Sequence, residues 1–162
     1  MCKAFSKSAA AAALLVCGLA ALGFIPAGGA QMPAPAAPVL KLLSAHSRRA
    51  AAGRVRLLLR FQVAAGFHVN SHHPNSAYLI PTTVKLLPAP GARLLKQTWP
   101  PAEQKKLSFS HRPLAVYSGI FPLRLLLRAP RGATLRGQLG YQACNDRLCE
   151  PPTHLNFQAK VQ

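Results

Sequence analysis

Acidic residues are nearly absent from this sequence: three of its 162 residues are Asp or Glu, against twenty Lys or Arg, for a formal charge of +17. Such a field bears on association with anionic lipid, acidic proteins or nucleic acid rather than on fold. Nucleic acid is set aside, because neither an aromatic-rich RNA-binding signature nor a zinc-finger spacing accompanies the charge. No Gly-x-Ser-x-Gly elbow is present, so the Ser, His and Asp residues lack the usual frame of a hydrolase. Nothing after Gln31 has the length or continuous apolarity of a transmembrane helix, and neither a long amphipathic helix nor an internal repeat is visible.

The one long apolar run, Ala9 to Ile25, stands behind Lys3 and Lys7 and ahead of the small residues Gly28 and Ala30. This is the layout of an export signal over residues 1–30, cleaved after Ala30. The run is marginal as a membrane span, and an uncleaved anchor is the alternative. Cys17 is not read as a lipidation site, since Leu14-Leu15-Val16 puts a bulky residue where a small one is wanted. Cleavage removes Cys2 and Cys17 and leaves Cys144 and Cys149 as an even pair in a periplasmic or otherwise extracytoplasmic space where disulfides persist. It also removes two of the basic residues, so the exported part keeps a charge of about +15. The bland account of that charge is a solvated surface with some attraction to anionic membrane. Residues 31–38 form a Pro/Ala linker, and residues 39–162 are expected to be one domain.

Within that domain the alternation is of period two. Val55, Leu57, Leu59, Phe61 and Val63 fall on one face, with Arg54, Arg56, Arg60 and Gln62 on the other. The pattern returns at Leu123 to Arg128, at Leu135 to Ala143 with Gln142 outward, and at Leu155 to Val161. Shorter strands are expected at Val39 to Leu43, Thr82 to Leu87, Arg93 to Thr98 and Leu114 to Tyr117, with Pro and Gly punctuating the intervals. The fold class expected is all-β, a sandwich. Outward arginines also protect sheet edges from pairing with other chains.

Cys144 ends one of these strands and Cys149 precedes the next, so the pair sits on a connection at one end of the sandwich, where reactive groups are both exposed and positioned. A disulfide between them closes a ring of about six residues, contributing about 2 kcal/mol, against nearly 5 for a ring of about 100. So weak a brace points to a bond that is opened and closed, with a bracing hairpin disulfide as the alternative. Asp146 and Glu150 raise a nearby thiol's pKa and Arg147 lowers it, and the sequence leaves the balance open. His68, His72, His73 and His111 have no diagnostic metal spacing and no carboxylate close by to orient a ring, so no metal and no cofactor is expected; they are read as surface or loop histidines. Trp99-Pro100-Pro101 is read as a turn packed on the sandwich.

Tyr141-Gln142-Ala143-Cys144-Asn145-Asp146, followed by Cys149 and Pro151-Pro152, resembles the redox loop of the amino-terminal periplasmic domain of DsbD-type thiol:disulfide interchange proteins. Phe67-His68-Val69-Asn70-Ser71, Pro74, Tyr78 to Thr82 and Leu114 to Gly119 resemble other segments of that domain in the same order, so the likeness spans about Val39 to Val161. The resemblance implies an immunoglobulin-like β-sandwich that takes electrons from a membrane-embedded relay and hands them to periplasmic thioredoxin-like proteins, a step of electron transfer used in cytochrome c biogenesis. It implies that Cys149 forms the mixed disulfide and Cys144 resolves it; from their place beside the pair, Tyr141, Asp146 and Glu150 are expected to tune access and protonation. It further implies a flexible cap, for which Leu107-Ser108-Phe109-Ser110 is the candidate; Phe109 is then the shielding ring, or else packs in the core. Full-length members of that family carry a multi-helix membrane domain and a thioredoxin-like domain, and this sequence stops at Gln162, so donor and acceptor are expected on separate chains. The rival reading is a non-catalytic binding or adaptor sandwich with a structural disulfide.

Overall fold

A computed structural model of the chain describes residues 38–162; the signal expected over 1–30 and all of the linker but Pro38 lie outside the described residues. In chain order the strands are β1 (Leu40–Ala50), β2 (Arg54–Val63), β3 (His68–Asn70), β4 (Thr83–Leu86), β5 (Arg93–Thr98), β6 (Glu103–Lys105), β7 (Leu114–Tyr117), β8 (Ile120–Arg128), β9 (Thr134–Tyr141), β10 (Ala143–Cys144) and β11 (Thr153–Lys160). Among the described residues there is no helix, and so none long and apolar enough to cross a membrane.

The strongest alternation in the sequence makes the centre of the largest sheet, ordered β1-β2-β8-β5. Leu57 lies opposite Leu125, Leu59 opposite Leu123 and Phe61 opposite Phe121, so one face of the β2–β8 pair is continuous hydrocarbon. That face closes on the three-stranded sheet β11-β9-β4, whose Leu135, Leu139, Phe157 and Ala159 share the same buried cluster. Phe61 meets Phe157 edge-on at 6.5 Å between ring centroids and Phe121 at 5.5 Å, locking the layers of an immunoglobulin-like β-sandwich. Gly137, opposite Phe157 in the β9–β11 register, makes this approach possible: a Cβ there would meet the Phe157 ring and stand 2.8 Å from the Lys85 carbonyl.

The third sheet, β10-β3-β7-β6, carries the cysteines and has its own small core of Leu79, Leu107, Leu114 and Val116. Two of its strands, β3 and β6, have three residues each, too few to show a period. Two other differences from the sequence reading have physical causes. β1 runs on from the expected Val39–Leu43 to Ala50, because a bulge between Leu42 and Ser44 shifts its alternation while pairing with β2 continues. The strand expected over Leu135 to Ala143 is cut at Gln142: Tyr141 pairs with Thr153 in one sheet and Ala143 with Val69 in another. Gln142 replaces the interrupted ladder with its side chain. Its Oε1 accepts from Asn70 Nδ2 at 3.0 Å and from the Ile80 N–H at 3.2 Å, and its Nε2 donates to the Glu150 carbonyl at 3.2 Å.

Candidate redox site at the cysteine hairpin

The sheet switch at Gln142 leaves β10 only two residues before the chain must turn, and Asn145 makes that turn. Its Oδ1 accepts the N–H groups of Arg147 and Leu148, at 2.8 and 3.0 Å, while its own N–H donates to the Leu148 carbonyl. The Glu150 N–H donates to the Ala143 carbonyl at 2.8 Å, so Cys144 and Cys149 face each other across a single antiparallel bridge. Their Cα atoms are 3.9 Å apart and their sulfurs are joined. The two sulfurs are nevertheless unequal. Cys144 has no exposed surface, whereas Cys149 is half-buried, and Asp146, Arg147 and Leu148 between them are exposed.

The other residues singled out from sequence fall around this hairpin. Tyr141 ends β9 and is buried; burial, then the nearby Glu150, pushes its phenol pKa up. Glu150 is half-buried at the base of the hairpin. The segment proposed as a cap lies against the hairpin, because the Ser108 hydroxyl donates to the Asp146 carbonyl. Leu107 anchors that segment in the small core, whereas Phe109 is 37% exposed and belongs to neither core cluster. Leu148 at the hairpin tip and Ile80, held by Gln142, are likewise exposed apolar side chains.

His68 departs from the reading as a surface or loop histidine. It is fully buried on β3, directly opposite Cys144, and neither ring nitrogen has a hydrogen-bond partner. Burial, followed by the positive charge of Lys105, lowers its pKa below the usual 6.5, with Asp146 opposing. A histidine that opens a strand of three residues, His68-Val69-Asn70, gave no signal of burial in the sequence, since so short a pattern assigns it no face. His72 turns outward instead, its ring stacked on Trp99 at 4.7 Å and its Nδ1 2.9 Å from the Thr82 carbonyl. No group of three or more His, Cys, Asp or Glu side chains is placed to hold a metal among the described residues.

Residues 36–160 match the family described as thiol:disulfide interchange protein DsbD, N-terminal. No curated protein matches the sequence. Among solved structures, the N-terminal periplasmic domain of ScsB from Proteus mirabilis is similar at a TM-score of 0.57 and 14% identity, over 80% of this chain and 49% of that one, which supports the sandwich fold. This chain thus spans about half the length of that relative. The reduced DsbD N-terminal domain of Neisseria meningitidis aligns over 64% of this chain and 75% of that one, at 21% identity and a TM-score of 0.46. The same species' DsbD N-terminal domain in complex with the PilB N-terminal domain aligns over 64% and 73%, at 20% identity and 0.45.

Proposed function

Since the chain belongs to the family of N-terminal domains of thiol:disulfide interchange protein DsbD, we propose that it is an extracytoplasmic exchange module. In this reading it relays reducing equivalents from a membrane-embedded DsbD-type donor to periplasmic thioredoxin-like proteins through Cys144 and Cys149. The observation that carries the proposal is the inequality of the two sulfurs within one short ring. Disulfide exchange needs one sulfur open to an incoming thiolate and a second held close enough to displace the partner afterwards. Half-buried Cys149 suits the first task and enclosed Cys144 the second. Leu148, Phe109 and Ile80 are exposed apolar side chains on the hairpin and on segments hydrogen-bonded to its surroundings, and in this reading they meet the partner, with Phe109 as the ring of the cap. Asp146 and Arg147 at the tip, with Glu150 behind, set the charge that a partner meets, and buried Tyr141 closes the site from within.

Equilibrating the domain against a glutathione or dithiothreitol series tests this reading against a bracing bond. The expected result is a reduction potential above about −300 mV, with far-UV dichroism unchanged and a stability loss near 2 kcal/mol, the contribution of so small a ring. A bond that resists reduction, or whose opening unfolds the domain, would return it to the class of adaptor sandwiches.

The basic charge has a location that supports membrane attraction. On the outer face of β1-β2-β8-β5, Arg48 lies opposite Arg56, and Arg54 and Arg93 both lie opposite Arg128, with no acid on that sheet. Like charges directly opposite are destabilising, and an anionic surface relieves them. Vesicles containing phosphatidylglycerol should therefore bind the domain at low salt and release it as ionic strength rises past about 0.15 M. Arg56→Glu with Arg124→Glu should weaken that binding, and equal binding to neutral vesicles would remove the role.

A further inference from the structure

Buried polar atoms are satisfied in folded proteins with few exceptions, and an exception calls for a cause. Six buried side-chain atoms among the described residues are left without a partner, and His68 alone has both of its ring nitrogens among them. His68 is directly opposite Cys144 in the β3–β10 pair, and residues in that relation share a face of the sheet with Cβ atoms about 4.5–5.5 Å apart. A neutral imidazole has one donor and one acceptor, a thiol is a weak donor, and a thiolate accepts. With the disulfide closed, Cys144 has no proton to give, and the ring beside it stands idle.

We propose that His68 is the proton-handling residue of Cys144, accepting the proton of its thiol when it resolves a mixed disulfide and returning it when the disulfide is reduced. The inference rests on the exchange reading and names a residue that the cysteine motif does not contain. The steps balance. In the outgoing direction the Cys149 thiolate attacks a sulfur of the partner's disulfide, and the partner's other sulfur leaves as a thiolate that takes a proton from solvent. The Cys144 thiol then gives its proton to His68, and the resulting thiolate attacks Cys149 Sγ. The Cys144–Cys149 bond forms, and the partner's remaining sulfur departs with the bonding electron pair and is protonated at the expense of the imidazolium. Two electrons and two protons reach the partner.

Cys144 needs such help more than Cys149 does. It is enclosed, and an apolar enclosure disfavours a thiolate that has no neighbour to receive the proton. The groups that bear on the ring are Lys105 from β6, Asp146 from the hairpin and Cys144 itself. Burial and Lys105 keep the imidazole neutral, hence able to accept, down to a pH below its usual 6.5.

Stopped-flow reaction of the reduced domain with dithiobis-nitrobenzoate separates the two sulfurs. The first equivalent of chromophore is released when Cys149 forms the mixed disulfide, and the second when Cys144 resolves it. In the parent protein the second phase should rise with pH through an inflection below 6.5, where His68 loses its proton. His68→Gln, which keeps polarity and approximate size without titrating there, should remove that inflection and slow the second phase by about 100-fold, within the usual range for a positioned acid–base group. The first phase should change little. An unchanged second phase in His68→Gln overturns the proposal, as does equal slowing of both phases. A parent second phase that rises only in the range of an ordinary thiol, near 8.5, overturns it without reference to any variant. If the parent shows no first phase at all, the exchange reading fails with it, a result distinct from a normal first phase whose successor ignores His68.

Discussion

Replacing Cys144 by serine should turn the domain into a trap: a mixed disulfide between Cys149 and a thioredoxin-like partner accumulates, because the sulfur that would displace the partner is gone. Expressed in an exporting host and quenched with acid and an alkylating agent, Cys144→Ser should run as adducts that collapse on reduction, with Cys149 as the attachment site by mass spectrometry. Cys149→Ser should capture almost nothing, since the remaining thiol has no exposed surface. The contrast between the variants is therefore close to all-or-none. Neither should unfold, because the six-residue ring contributes only about 2 kcal/mol. If neither variant yields an adduct, the relay role is lost. If Cys144 collects the adducts instead, the roles assigned to the two sulfurs are reversed.

The mutual reach of the two sulfurs was readable in the sequence because it depends on local spacing, whereas their separate roles came from the resemblance. Cys144 and Cys149 are close enough along the chain that their mutual reach follows from covalent geometry alone, and the alternating runs at Arg54 to Val63 and Leu123 to Arg128 are long enough to fix strand and face, though not the register in which they pair. What escaped was whatever depends on pairing and contact between segments distant in the chain. His68 sits on a strand of three residues, and only pairing with β10 on one side and β7 on the other encloses it. β1 hid its second half behind a bulge. Phe109 was placed on a cap by resemblance, but its partial exposure is set by Leu107 and Ser108, which hold the loop by burial and by a hydrogen bond to the hairpin.

Gln142 shows the same limit, and the second large effect is expected there. In the sequence it occupies an outward position of an alternating strand, where a glutamine is unremarked. In the fold its side chain joins three separate segments: β3 through Asn70, the loop at Ile80, and the far side of the cysteine hairpin through Glu150. Gln142→Leu keeps the bulk and removes every one of those bonds, leaving the Glu150 carbonyl, the Ile80 N–H and an Asn70 Nδ2 hydrogen without this partner. A group left unsatisfied on burial costs about 1–3 kcal/mol, and Ile80 and Glu150 are accessible enough for water to take over part of their share. The net loss should be about 3 kcal/mol, roughly a 100-fold fall in the ratio of folded to unfolded chains, measured by urea denaturation. Because the broken bonds hold the base of the hairpin, the damage should reach the site: in the reduced variant Cys144 should alkylate faster, approaching the rate of Cys149. A loss below about 1 kcal/mol, the level of an ordinary surface substitution, would show that the junction is held by its backbone pairing and that Gln142 is incidental to it.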